Sequence, residues 1–214
     1  MSESVNLPNS TNEINETSLP GPKSQGMIDL LFDKAMLLFD EGNYQEALEN
    51  YEKTLEINPR LYTALVNIGD IYYRLNEFEN ALEYLDKAIA IEPKDYSALY
   101  NRGTVKDSLE DYSGALQDYN AALEVNPDSA AAYNNRAFTK NTLGYYPGAV
   151  NDYTKSIELE PEANTFLNRA DTYINLKEFD KAIADYDTAI EMDPSFTEAI
   201  DKKAKALELI KHTN

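Results

Sequence analysis

Residues 98–127 read ALYNRGTVKDSLEDYSGALQDYNAALEVNP, and residues 132–161 read AYNNRAFTKNTLGYYPGAVNDYTKSIELEP. The second stretch restates the first at a constant offset of 34 residues. Asn101 falls on Asn135, Arg102 on Arg136, Lys106 on Lys140 and Leu109 on Leu143. Tyr112 falls on Tyr146, Ala115 on Ala149, Asp118 on Asp152 and Tyr119 on Tyr153. Self-similarity at a fixed period marks a chain of stacked units, each too small to bury its apolar face alone.

The period extends in both directions. Pro59, Pro93, Pro127, Pro161 and Pro194 are spaced by 34, 34, 34 and 33 residues. Proline cannot continue a helix and disfavours helical backbone in the residue before it. Between the prolines, apolar residues recur three and four apart, as in Leu31, Ala35, Leu38 and then Tyr44, Ala47, Leu48, Tyr51. Glu41-Gly42-Asn43 interrupts that pattern where a helix hairpin needs a turn. The spacing predicts helix pairs over about 28–57, 62–91, 96–125, 130–159 and 163–192, within repeats of about 28–61, 62–95, 96–129, 130–162 and 163–196. A capping helix is expected over about 196–211, with Lys202, Lys203, Lys205 and Glu208 on its outer side. Residues 1–26 carry mainly Ser, Asn, Thr, Glu, Pro and Gly with few apolar positions, and are expected to be disordered. Two glycosylation-type triplets there, at Asn9 and Asn15, are expected to be chance matches.

Small and aromatic residues recur in register with the period. Ala35, Gly69, Gly103, Ala137 and Ala170 stand midway along the first helices, and Ala47, Ala81, Ala115, Ala149 and Ala182 early in the second. Tyr44, Phe78, Tyr112, Tyr146 and Phe179 open the second helices, and Thr54, Ala88, Ala122, Ser156 and Ala189 supply a further small position. With the closing prolines, this pattern resembles the tetratricopeptide repeat family in five consecutive copies. The resemblance implies an all-α fold, a right-handed α-solenoid of five helix-turn-helix repeats plus a C-terminal capping helix. Its first helices would line a concave groove. It further implies a non-catalytic adaptor or scaffold that binds an extended peptide or a partner helix, with self-assembly through repeat or terminal-helix packing as the alternative.

Composition narrows the partner. The chain has 38 Asp and Glu against 19 Lys and Arg, a formal charge of −19. Phosphate backbones are held largely by Lys and Arg, so no nucleic acid is expected, and the same sign disfavours anionic membranes. A protein or peptide that is neutral or basic rather than acidic is expected instead. Cysteine is absent and the one histidine is His212, which excludes disulfides, thiol nucleophiles and multi-histidine metal sites. No catalytic constellation, metal or cofactor is expected. No apolar run reaches the length of a membrane span, and no secretory signal precedes the repeats, so a cytoplasmic location is expected.

Asn67, Asn101, Asn135 and Asn168 recur in register on the first helices. Asparagine is a poor helix former, and its amide offers both a donor and an acceptor to an extended backbone. The row resembles the asparagine ladder in the repeat domain of O-linked N-acetylglucosamine transferase. Tyr73, Tyr100, Phe138 and Asp70 complete the expected peptide-binding groove, with Phe32, Met36, Ile174, Asp33, Asp40, Asp107 and Asp171 as further lining candidates. Arg102, Arg136 and Arg169 follow three of the asparagines, and Asp118, Asp152 and Asp185 stand 16 residues after those arginines. The first two repeats have Lys34 with Asn50 and Ile68 with Tyr84 instead, so a charge ladder inside the stack is expected from the third repeat on. Asp185 pairing with Lys203 on the cap is a second possibility. The dicarboxylate clamp by which some members hold acidic chaperone tails is not expected. Its Lys and Asn positions hold Phe32 and Met36, its Lys and Arg positions hold Ser97 and Asn101, and frames shifted by one or two repeats fail likewise.

Overall fold

The computed structural model describes residues 21–213. Residues 1–20, with the triplets at Asn9 and Asn15 and most of the stretch expected to be disordered, lie outside the described residues. Eleven helices follow in order among the described residues: α1 (Pro22–Asp40), α2 (Tyr44–Ile57), α3 (Tyr62–Arg74), α4 (Phe78–Ile91), α5 (Tyr96–Ser108), α6 (Tyr112–Val125), α7 (Ala130–Thr142), α8 (Tyr146–Leu159), α9 (Ala163–Asn175), α10 (Phe179–Met192) and α11 (Thr197–Thr213). Helix α1 starts at Pro22 rather than 28, because proline is tolerated in the first turn, where its missing N–H costs nothing. Residues 22–26, expected to lack structure, are therefore helical.

Both kinds of boundary have a local cause. At the ends of the second helices, Asn58, Glu92, Asn126, Glu160 and Asp193 precede the prolines and are extended, at φ between −148° and −126°. Inside each hairpin the chain reverses through one left-handed residue: Gly42, Asn76, Glu110, Gly144 or Lys177, at φ between 60° and 79°. The next N–H then bonds back five residues, as from Asn43 to Leu38 and from Glu77 to Tyr72, which satisfies carbonyls the helix end would leave open.

The core is a series of junctions rather than one centre. In each repeat the small residue of the first helix receives a large residue of the second. Ala35 clusters with Tyr51, Ala137 with Tyr153 and Ala170 with Tyr186. At Gly69 and Gly103, an added Cβ would stand 2.7 Å from the Leu85 side chain and 2.8 Å from the Tyr119 ring. Successive first helices touch one another, α3 with α5, α5 with α7 and α7 with α9, whereas successive second helices come less close. The stack is therefore a solenoid curved with its first helices inside.

The charge ladder runs through this stack. Arg102 forks onto Asp118 at 2.8 and 2.6 Å, Arg136 onto Asp152 at 2.8 and 2.7 Å, and Arg169 onto Asp185 at 2.7 and 2.8 Å. The third arginine nitrogen reaches back one repeat, to Asp86, Asn120 or Thr154. On α11, Lys203 continues that backward series by pairing with Asp187, not with Asp185. Asp118 and Asp152 have a second cation each, Lys106 and Lys140, both at 2.7 Å. Only Arg169 serves Asp185 among the described residues.

Arg169→Leu leaves a buried carboxylate without a cation and should cost about 3 kcal/mol, whereas Arg136→Leu, whose Asp152 keeps Lys140, should cost about half that. Chemical denaturation of the two variants tests the order. Glu110→Gly removes a left-handed residue bearing a Cβ and should raise stability by about 0.5–1 kcal/mol in the same assay.

Candidate functional site

The inner face is made by α3, α5, α7, α9 and α11, and the asparagine row lies along it with every member partly exposed. Its members differ in what they already hold. Asn67 donates to the Tyr51 hydroxyl at 2.9 Å, and Asn135 donates to the Tyr100 hydroxyl at 3.0 Å. No hydrogen bond within the described residues reaches the side-chain amides of Asn101 or Asn168. The difference at Asn101 has a visible cause: 16 residues before it stands Leu85, where Asn67 finds Tyr51. No hydrogen bond within the described residues reaches the Tyr153 hydroxyl either, while burial pushes its pKa up.

The tyrosines that fill the junctions present their hydroxyls to this face. Tyr119 donates to Asp107 at 3.0 Å and Tyr186 to Asp171 at 2.6 Å, and burial raises the pKa of both phenols. These acids are engaged in different ways. Asp70 pairs with Arg74 at 3.1 Å and Asp171 with Lys202 at 2.6 Å, so each has a cation of its own. Asp107 accepts from Tyr119 and from Thr139, at 2.9 and 2.7 Å, both neutral donors. Burial pushes the Asp107 carboxyl upward, against those two hydrogen bonds.

Hollows open along the surface among the described residues. A cleft of about 300 Å³ is lined by Tyr73, Thr104, Asp107, Ser108, Tyr119, Asn135 and Phe138. A smaller one, about 240 Å³, lies between Tyr100, Asn134, Asn135 and Glu160. Toward the cap, Asn141, Asp171, Ile174, Tyr186, Lys202 and Lys205 border a hollow of about 420 Å³. Of the eight residues expected in the groove, Tyr73, Asn135 and Phe138 are thus brought together, and Phe138 is 53% exposed. Tyr100 is held by Asn135 and stacks on Tyr96 at 5.7 Å, so its ring belongs partly to the packing. Phe32 packs edge-on against Tyr51 at 5.3 Å. Lys202, which stands 34 residues after Asn168 and so in the asparagine register, was visible as a spacing but takes on its meaning only through Asp171.

Tetratricopeptide repeat models match residues 26–94, 68–134 and 163–196. The chain belongs to the tetratricopeptide repeat family. The solved structure of YrrB, described as a tetratricopeptide repeat protein with an unusual peptide-binding site, is 26% identical and superposes with a TM-score of 0.70. That match covers 81% of this chain and 90% of YrrB. A tetratricopeptide repeat protein from Parabacteroides merdae is 23% identical at a TM-score of 0.75, covering 87% of this chain and 74% of its own. MamA from Desulfovibrio magneticus is 18% identical at a TM-score of 0.74, covering 83% and 99%. A comparison with curated proteins finds no match. The tetratricopeptide repeat fold is that of a protein-interaction scaffold, and its members are typically non-catalytic. Among the described residues, no helix is long and apolar enough to cross a membrane.

Asn67→Ala strands a largely buried tyrosine hydroxyl and should lower stability by about 1 kcal/mol, whereas Asn101→Ala breaks no bond and should be neutral or slightly stabilising. Thermal melts of the two single variants decide it; equal losses would mean that both amides serve the fold.

Proposed function

We propose that this chain is an adaptor that holds an extended peptide or a partner helix along the inner face of its solenoid. The observation that carries the reading is the pair of partly exposed amides, Asn101 and Asn168, with no hydrogen-bond partner among the described residues. An amide in mid-helix lowers helix propensity, and here no internal bond offsets the loss. Two such groups on one face match the alternating donors and acceptors of an extended backbone, while Tyr73 and Phe138 offer apolar surface in the cleft between α3 and α7. Asn67 and Asn135 contribute their remaining acceptor capacity, and Asp70 and Tyr100 frame the groove. A neutral or basic partner fits the net charge of −19.

A second reading, self-assembly, has an observation of its own at the N-terminal end. Leu30 and Leu37 of α1 are 64% and 66% exposed. The positions in the same register in later repeats are covered by the preceding second helix: Ala64, Ala98, Ala132 and Ala199 for the first, Ile71, Val105, Thr139 and Thr172 for the second, all at 0%. Stacking of another copy on that end would appear as a mass that rises with concentration in light scattering.

Peptides selected from a random displayed library on the wild-type chain provide the test of groove binding. The double variant Asn101→Ala/Asn168→Ala should weaken their binding about ten- to thirtyfold, the loss of two hydrogen bonds, with an unchanged melting temperature. Unchanged affinity would move the binding surface off the asparagine row.

A further inference from the structure

The cleft between α3, α5 and α7 has a composition that the groove as a whole does not share. Asp107 brings a half-buried carboxylate whose hydrogen-bond donors, Tyr119 and Thr139, are both neutral. Tyr73, Tyr119 and Phe138 line the same space, and Thr104, Ser108 and Asn135 complete it, so no cation is among its lining residues. The nearest basic residues along the chain are committed elsewhere: Lys106 pairs with Asp118 and Lys140 with Asp152, both on the outer helices. Elsewhere on this face the fold supplies a cation to its acid, Arg74 to Asp70 and Lys202 to Asp171. At Asp107 it supplies none among the described residues. A partly desolvated carboxylate is costly without a countercharge, and aromatic walls attract a cation through their ring faces.

We infer that this cleft takes a cationic side chain, arginine or lysine, from the partner, with Asp107 as its counter-ion and Tyr73 and Phe138 as its aromatic walls. The inference rests on the groove reading above and deepens it, because it assigns one residue of the bound chain and one place for it. The volume of about 300 Å³ admits a guanidinium or ammonium head with part of its stem. An acidic side chain would meet Asp107 directly and is excluded by repulsion. The raised carboxyl pKa has the same origin as the specificity: burial without a countercharge, a penalty that an entering cation relieves.

The probes are two capped tripeptides, Ac-Ala-Arg-Ala-NH2 and its neutral citrulline counterpart, titrated into the full chain while backbone amide resonances are followed. The arginine peptide should shift residues 104–108 and 135–139 and bind about tenfold tighter than the citrulline peptide, the scale of one charge pair. Asp107→Asn keeps both hydroxyl bonds, should melt like the wild type, and should bind the two peptides equally. Should that variant unfold, Phe138→Ala, which removes an exposed ring, should still weaken the arginine peptide about threefold and leave the citrulline peptide unchanged. Equal affinity of the wild type for both peptides, no shift at the cleft, or full arginine binding by Asp107→Asn overturns the inference. Shifts at Asn101 and Asn168 with no preference for charge would remove the cation site and leave the groove reading standing. Arginine-dependent shifts confined to the cleft would keep the site and remove the groove reading.

Discussion

Everything in this solenoid depends on how closely the two helices of a repeat approach at the small residue of the first. Where that residue is Gly69 or Gly103, the large side chain opposite already sits inside the space a Cβ would need. Where it is Ala35, Ala137 or Ala170, a tyrosine fills the same junction. Close packing fixes the distance between the layers, and interiors of this density do not deform continuously. The tyrosine adds a consequence that leucine lacks. Its ring is buried in the junction while its hydroxyl emerges on the inner face, so packing and groove chemistry are set by one residue. Tyr51 occupies Asn67, and Tyr119 engages Asp107. At Leu85 no hydroxyl emerges, and among the described residues nothing holds the Asn101 amide.

The arginine forks act on a different axis. A buried ion pair gives little net stability over a well-packed apolar contact, but breaking one is costly, so it penalises wrong arrangements more than it rewards the right one. The first junctions of this chain do without it, using Ile68 in the core and Tyr72 stacked on Tyr84 at 5.6 Å. From the third repeat onward each arginine joins its own second helix to the one before. The fork itself recurs unchanged in all three repeats, whereas the group it reaches in the preceding repeat differs, Asp86, Asn120 or Thr154. Lys203 extends the series onto α11, which ties that helix to α10.

Most of the fold was legible in the chain because its causes are local and periodic. Prolines end the second helices, small residues mark the junctions, and the 16-residue spacing of arginine and aspartate reports the fork across a hairpin. The left-handed residues at Asn76, Glu110 and Lys177 were not legible, since none is glycine and the hairpin geometry imposes the conformation. The start of α1 was missed because proline reads as a breaker unless it stands in a first turn. The groove was legible only as a register. Spacing places four asparagines on one face, yet their different partners depend on tyrosines 16 or 35 residues away and on which ring reaches which amide.

The electrostatic reading changes most between sequence and structure. A net charge of −19 implies an acidic groove if the acids are taken as evenly spread. Side-chain contacts distribute them otherwise: Asp118, Asp152 and Asp185 are buried against arginine, Asp70 and Asp171 have cations, and Asp33 and Asp40 remain exposed on α1. Long-range steering follows the net charge and is screened within about 8–10 Å at physiological salt. Recognition at contact follows the few groups that are desolvated and uncompensated, because these alone change their energy greatly when a partner arrives. On the inner face that distinction separates Asp107, held by two neutral hydroxyls, from the acids around it that the fold has already neutralised.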